Sequence, residues 1–345
     1  MVTAIDISSQ SLRTNPKADR AVGLWLFACC AMIFVMVSIG GITRLTESGL
    51  SITEWEPITG VVPPLSDADW QMEFNRYQQI PEYQRAHRDM SMAEFKGIFW
   101  WEYIHRLWGR LIGIVFAAGF VVLLRRRQIR RSLAPHLVAM FVLGGLQGAL
   151  GWFMVRSGLS VRTDVSQYRL AAHFLAALAI YSYMYWIALT LLRPAPADDT
   201  ARRLRPHLVA IASALVLTLT FGAFVAGLNG GLVYNSFPLM GGTLVPNDAF
   251  QTPWSAFEDP VTAQFIHRWL AMTVVALVLT LWLRRRGLSP TAAHPIDGLA
   301  AMALLQAGLG IGTLLLQVPI PLAAAHQAGA VVLWTLTLWS LHATR

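Results

Sequence analysis

Two short motifs open apolar runs in nearly the same way: Glu102-Tyr103-Ile104-His105-Arg106 and Gln264-Phe265-Ile266-His267-Arg268. One apolar run later, each is followed by two small residues and a histidine, Ala171-Ala172-His173 and Ala324-Ala325-His326. Ionisable groups inside membrane-length segments are expensive, so they point to function. Imidazoles on facing helices suit axial ligation of a haem iron. One such histidine is equally well explained as a hydrogen-bonded packing residue. Four of them, paired by an internal repeat, favour two haems. Zinc is disfavoured, because no cysteine or carboxylate set at short ligand spacing accompanies the pairs.

The neighbours add detail. Arg106 and Arg268 each sit beside a proposed ligand, where a guanidinium could pair with haem propionates or snorkel to lipid phosphate. Glu102 stands where the second copy has Gln264, three residues before the histidine and on its helix face. A carboxylate there can move protons or stabilise a cation, which an amide cannot; support of the helix start is the bland alternative. Chemistry is therefore expected in the first copy and a resident cofactor in the second. His136, His207 and His294, at the other ends of their segments, and His87 and His342 are expected to be structural.

Composition sets the environment. Of 345 residues, 55% are hydrophobic and 13% charged, about half the charged share of a soluble domain. The net charge of +8 comes from short blocks such as Arg125-Arg126-Arg127 and Arg284-Arg285-Arg286 beside apolar runs. The positive-inside rule explains them better than a nucleic-acid partner, and none is expected. Cys29 and Cys30 are adjacent and point in different directions on a helix, so they read as core residues rather than a disulfide or metal clamp. The fold class expected is an all-α polytopic membrane protein.

Apolar runs of spanning length, about 20 residues, fall at 21–42, 103–124, 134–155, 169–192, 206–228, 264–283, 296–316 and 320–342. The loops after the second, fourth and sixth runs are basic. The loop from Asn229 to Thr262 has no Lys or Arg, and the long loop 43–101 is more acidic than basic. Both termini are then cytoplasmic and the long loops external. On this topology His105, His173, His267 and His326 share one depth on the external side. The expected organisation is a cytoplasmic tail (1–20) and two pseudo-symmetric four-helix bundles, 21–195 and 196–345, related by an axis along the membrane normal. No cleavage site follows the first run, which reads as a retained helix. Gln147 in "LGGLQGALG" matches Gln306 in "LLQAGLGIG"; bonding between helices is expected of both, with a haem edge as the alternative. Gly144 with Gly148, and Gly308 with Gly312, have the spacing of close helix approach. Loop 43–101, with Trp55 and Trp70, reads as an ordered cap hugging the membrane or as a solvated connector.

Taken in order, "GGITRLTESGLSITEW", "PITGVVPP", "EYIHRLWGR", "AAH", "FIHRW" and "AAAHQ" among eight spans resemble the haem A synthase family, over essentially the whole chain after the tail. The likeness is to the proteobacterial and mitochondrial branch, since the external loops lack cysteine. It implies oxidation of the C8 methyl of haem O to a formyl group, by successive hydroxylations, giving haem A for cytochrome oxidase. It implies His105 and His173 around the substrate haem, Glu102 as the catalytic carboxylate, and His267 and His326 as ligands of a resident haem b. A bacterial inner membrane follows. So do haem O synthase and cytochrome oxidase assembly factors as candidate partners; a homo-oligomer is allowed. The electron donor is left open, with a ferredoxin as one candidate. The rivals are an electron-transferring b-type cytochrome and a haem carrier.

Overall fold

The computed structural model describes residues 16–56, 59–159, 165–193 and 199–345. Its long elements are eight helices, each long and apolar enough to cross a membrane. They are α1 (Pro16–Leu45), α2 (Met92–Arg125), α3 (Ala134–Val155), α4 (Gln167–Leu192), α5 (Arg205–Gly227), α6 (Pro260–Leu283), α7 (Pro290–Leu315) and α8 (Ile320–Ala343). Of the expected tail, residues 1–15 lie outside the described residues, and Pro16 to Arg20 form the first turn of α1. The expected boundary between 195 and 196 also lies outside the described residues.

Several helices start earlier than hydropathy alone implies, because polar caps set their ends. α2 begins at Met92 rather than 103. The Ser91 hydroxyl accepts from the Glu94 backbone N–H (3.3 Å), and Glu94 accepts in return from the Ser91 N–H (2.7 Å), a reciprocal box that satisfies two otherwise orphan donors. α6 begins at Pro260, where Asp259 accepts from the Thr262 N–H at 2.8 Å. Proline at the first position suits such a start, since its missing N–H is one of the orphans.

Within residues 16–192, α1 packs on α2 and α4, and α3 on α2 and α4. Within residues 205–343 the order is the same: α5 on α6 and α8, α7 on α6 and α8. α1 with α8, and α4 with α5 and α8, join the two sets. One apolar core, including Leu26, Leu189, Leu208, Leu281 and Leu338, runs through both. Bonds that bind the sets in register include Gln327 Nε2 to the Val37 carbonyl (2.9 Å), Trp334 Nε1 to Ser182 Oγ (2.7 Å), and Tyr181 with Thr335 (2.7 Å). Inside an apolar core each such bond is hard to replace, which makes the contact specific. Cys29 and Cys30 are buried there as free thiols.

The loop between α1 and α2 is an ordered cap over its described residues. Helices Asp67–Tyr77 and Pro81–Ala86 place Trp70, Phe74 and Tyr77 against Phe95, Phe99 and Tyr103 on the outer part of α2. The first helix starts at another reciprocal box, in which the Ser66 hydroxyl and backbone hold the Asp69 carboxyl below its ordinary range. Tyr77 donates to Glu82 (3.1 Å) and meets His87 Nδ1 (2.7 Å). Burial, with Glu82 beside it, pushes the Tyr77 hydroxyl up. Trp55 stays exposed and stacks on Trp152 at the end of α3 (5.0 Å). His136 pairs with the Tyr183 hydroxyl (2.6 Å) and His207 with the Leu277 carbonyl (3.0 Å), both as protein-bonded residues.

Candidate functional site

Each of the four histidines lies against a glycine of the preceding long helix. A Cβ built on Gly40 of α1 would stand 3.0 Å from Cε1 of His105; the same holds for Gly151 and His173, and for Gly222 and His267. On Gly310 it would stand 2.7 Å from Cε1 of His326. These imidazoles are seated flush on helix backbone, where any larger residue would have to displace them. Gly144, Gly148 and Gly308 do not serve close approach as their spacing implied: a Cβ on any of them would meet nothing within 4 Å. Gly312 makes only a snug contact with Leu322, at 3.3 Å.

The far ring nitrogens are handled unequally. Gln147 Nε2 lies 3.1 Å from His173 Nδ1 and donates to the His173 carbonyl at 2.8 Å. Gln306 repeats both distances with His326. His267 Nδ1 donates to the Thr218 carbonyl at 2.9 Å, the tautomer that frees Nε2 for a metal. His105 Nδ1 is buried with no partner. The amide oxygens of Gln147 and Gln306 are buried without partners too. Turned over, each amide would give up its carbonyl bond and accept from Nδ1–H, the proton a ring carries when Nε2 ligates a metal.

The second pair tests the fit of a haem. The His267 and His326 ring centroids are 6.5 Å apart and the rings perpendicular, at 89°. A metal–nitrogen bond of about 2 Å and a ring radius of about 1.1 Å on each side sum to roughly 6.2 Å for two imidazoles on one iron. The spacing therefore matches bis-histidine ligation of a single ion.

Around each pair the arginine grips the backbone of a loop. Arg106 donates to the carbonyls of Ile52 (2.7 Å) and Glu54 (2.8 Å). Arg268 donates to the carbonyls of Tyr234 (2.5 Å) and Ser236 (2.7 Å). The same two-residue clamp recurs, which the sequence could not reveal because nothing in it fixes the loop backbone. The clamp leaves Arg268 Nε buried and unpaired.

Glu102 and Gln264 complete the clamps differently. Glu102 is 3% exposed. One carboxylate oxygen accepts from the Ser51 hydroxyl (2.8 Å) and the Ile52 N–H (2.7 Å), the other from Arg106 (2.6 Å). A buried carboxyl group with partners on both oxygens is held firmly in place. Gln264 instead donates to the Tyr234 carbonyl at 3.1 Å. The first loop is thus latched to α2 through a carboxylate, the second to α6 through an amide.

Relatives of known description are similar in sequence to this chain over nearly all of their length. The heme A synthase of Rhodospirillum centenum is 55% identical across 96% of this chain and 90% of its own. That of Paramagnetospirillum magneticum is 50% identical across 94% of each, and that of Nitrosospira multiformis 45% across 99% of each. Residues 23–338, which take in both histidine pairs and both clamps, match the COX15-CtaA family model, described as cytochrome oxidase assembly protein. The chain belongs to the COX15-CtaA family of cytochrome oxidase assembly proteins.

Proposed function

We propose that the chain is a haem A synthase, oxidising the C8 methyl of haem O to a formyl group. Two successive hydroxylations give a geminal diol, which loses water to the aldehyde. The observation that carries this is the recurrence of one site: two histidine pairs, each ring on a glycine, each beside an arginine-clamped loop. An enzyme with a tailed haem as substrate and another haem as relay needs two such sites, close together in one membrane.

The halves divide the work. Residues 21–195 take the substrate haem between His105 and His173; residues 196–345 hold haem b between His267 and His326. When bound, haem b would supply one-electron transfer to the neighbouring site. The 6.5 Å ring spacing and the bonded Nδ1 atoms of His267 and His326 support a permanent occupant there. In the first half, Gln147 orients His173 while His105 lacks a second bond, which suits an occupant that must leave. Glu102, three residues before His105, is the acid–base or cation-stabilising group. Its bonds to Ser51 and Ile52 also close the loop over the site and exclude water. Arg106 and Arg268 fix the loops, and what remains of their donor capacity faces haem propionates.

The chain lies in a bacterial inner membrane with both termini cytoplasmic, as the basic loops require. Its proposed partners are an electron donor, with a ferredoxin as one candidate, haem O synthase and cytochrome oxidase assembly factors; no nucleic-acid partner is proposed. Extraction of haem from protein purified out of cells supplied with haem O separates the readings. Formyl haem marks the enzyme, protohaem alone a b-type cytochrome, and unchanged haem O a carrier.

A further inference from the structure

Between α3 and α4 lies an apolar groove of about 410 Å³, within the size range of small-molecule sites. Leu143, Leu146 and Leu150 form one wall, Ala176, Ala179 and Ile180 the other. Toward its outer end are Leu150 and Gln147, the latter the residue that touches His173. At its inner end Tyr183, bonded to His136, closes the floor. From His173 to Tyr183 is ten residues of helix, about 15 Å.

The matching helices of the second half are closed. α7 packs along α8 far more extensively than α3 along α4. The cause can be traced to one position. Three residues after the histidine, α8 has Gly329 where α4 has Ala176. A Cβ on Gly329 would stand 2.3 Å from Gln306 Oε1, 3.0 Å from Met302 and 3.4 Å from Leu309. In the Gln–His register, those three residues correspond to Gln147, Leu143 and Leu150, the α3 side of the groove. Glycine lets α7 settle on α8; the Ala176 methyl holds α3 off α4.

We propose that this groove binds the isoprenoid tail of the substrate haem. The proposal rests on the assignment of the first half to that substrate. Haem O carries a hydroxyethylfarnesyl group that protohaem lacks. The fourteen-carbon main chain of that group extends on the order of 16 Å at C–C bonds of about 1.5 Å, close to the run of helix from His173 to Tyr183. The groove begins at the histidine site, is apolar along its walls and ends at a polar floor. In the half assigned to untailed haem b, Gly329 lets the matching helices pack closely instead. Tail burial would then select haem O over protohaem in the first half only.

The test is binding of haem O and of protohaem to the full-length chain already carrying its resident haem. The wild-type chain should take a second haem and prefer haem O by roughly tenfold or more, given the apolar area buried. Ala179→Phe should remove that preference by weakening haem O alone, with the resident low-spin spectrum unchanged as the check on folding. A haem O analogue with a photoreactive tail end should label the Leu143 or Ile180 segment of the wild-type chain. An undiminished preference in Ala179→Phe, or labelling elsewhere while a lipid acyl chain fills the groove, overturns the proposal. A wild-type chain that takes only one haem of either kind overturns the assignment of the first half and the tail site with it. Two haems bound without discrimination overturn the tail site alone.

Discussion

Gln147 Nε2 stands 3.1 Å from His173 Nδ1 and 2.8 Å from the His173 carbonyl. That relationship reappears unchanged between Gln306 and His326. A bond to the far nitrogen fixes a ligating ring and tunes its basicity, and its loss typically lowers metal affinity by about 10–100-fold. Gln306→Leu should weaken haem b retention on that scale, measured by the rate of haem transfer to apomyoglobin. Retention at the wild-type rate would make the glutamine a packing residue only.

The glycines give a comparison within one helix turn. Gly310→Ala puts a methyl where His326 Cε1 already lies, at 2.7 Å, whereas Gly308→Ala projects into open space. Haem b content should fall roughly tenfold or more in Gly310→Ala, on the scale of a disturbed ligand shell, and stay at wild-type level in Gly308→Ala. Equal content in the two variants would mean that ring seating on the backbone does not matter.

Eight spans and the four histidines were legible because lipid demands long apolar runs and a repeat displays its functional residues twice. The seating glycines were not, since Gly40 and Gly222 sit in ordinary apolar runs. A signal did exist for two of them: Gly151 and Gly310 lie four residues after Gln147 and Gln306, on the same helix face, while Gly308 lies on another. The arginine clamps were hidden because Arg106 and Arg268 grip loop carbonyls, which carry no residue signature. The early start of α2 was missed because Ser91 and Glu94, not hydropathy, set it.

His105 should be the more easily displaced ligand of its pair, as its Nδ1 has no partner. In His105→Ala the first-half haem should remain bound, shifted to a high-spin spectrum that responds to carbon monoxide. In His173→Ala it should be lost. The same loss in both variants would show that the missing bond does not distinguish the two rings.

Glu102→Gln should lower formyl haem output by roughly a hundredfold or more if the carboxylate transfers a proton, with haem b retained. The amide can still accept from Ser51 and Ile52, but its NH2 would face the Arg106 donors. Arg106→Met, which loosens the same loop without touching the carboxylate, separates a latch from an acid–base group. Near-normal output from Glu102→Gln would leave Glu102 only the latch.

The division of labour between the halves is tested most directly by the identity of the haem retained in two double variants, purified from cells making both haem O and protohaem. His105→Ala with His173→Ala should retain protohaem and carry neither haem O nor formyl haem. His267→Ala with His326→Ala should lose protohaem and retain haem O. Protohaem lost from the first variant and kept by the second would contradict the account and reverse the roles of the two halves.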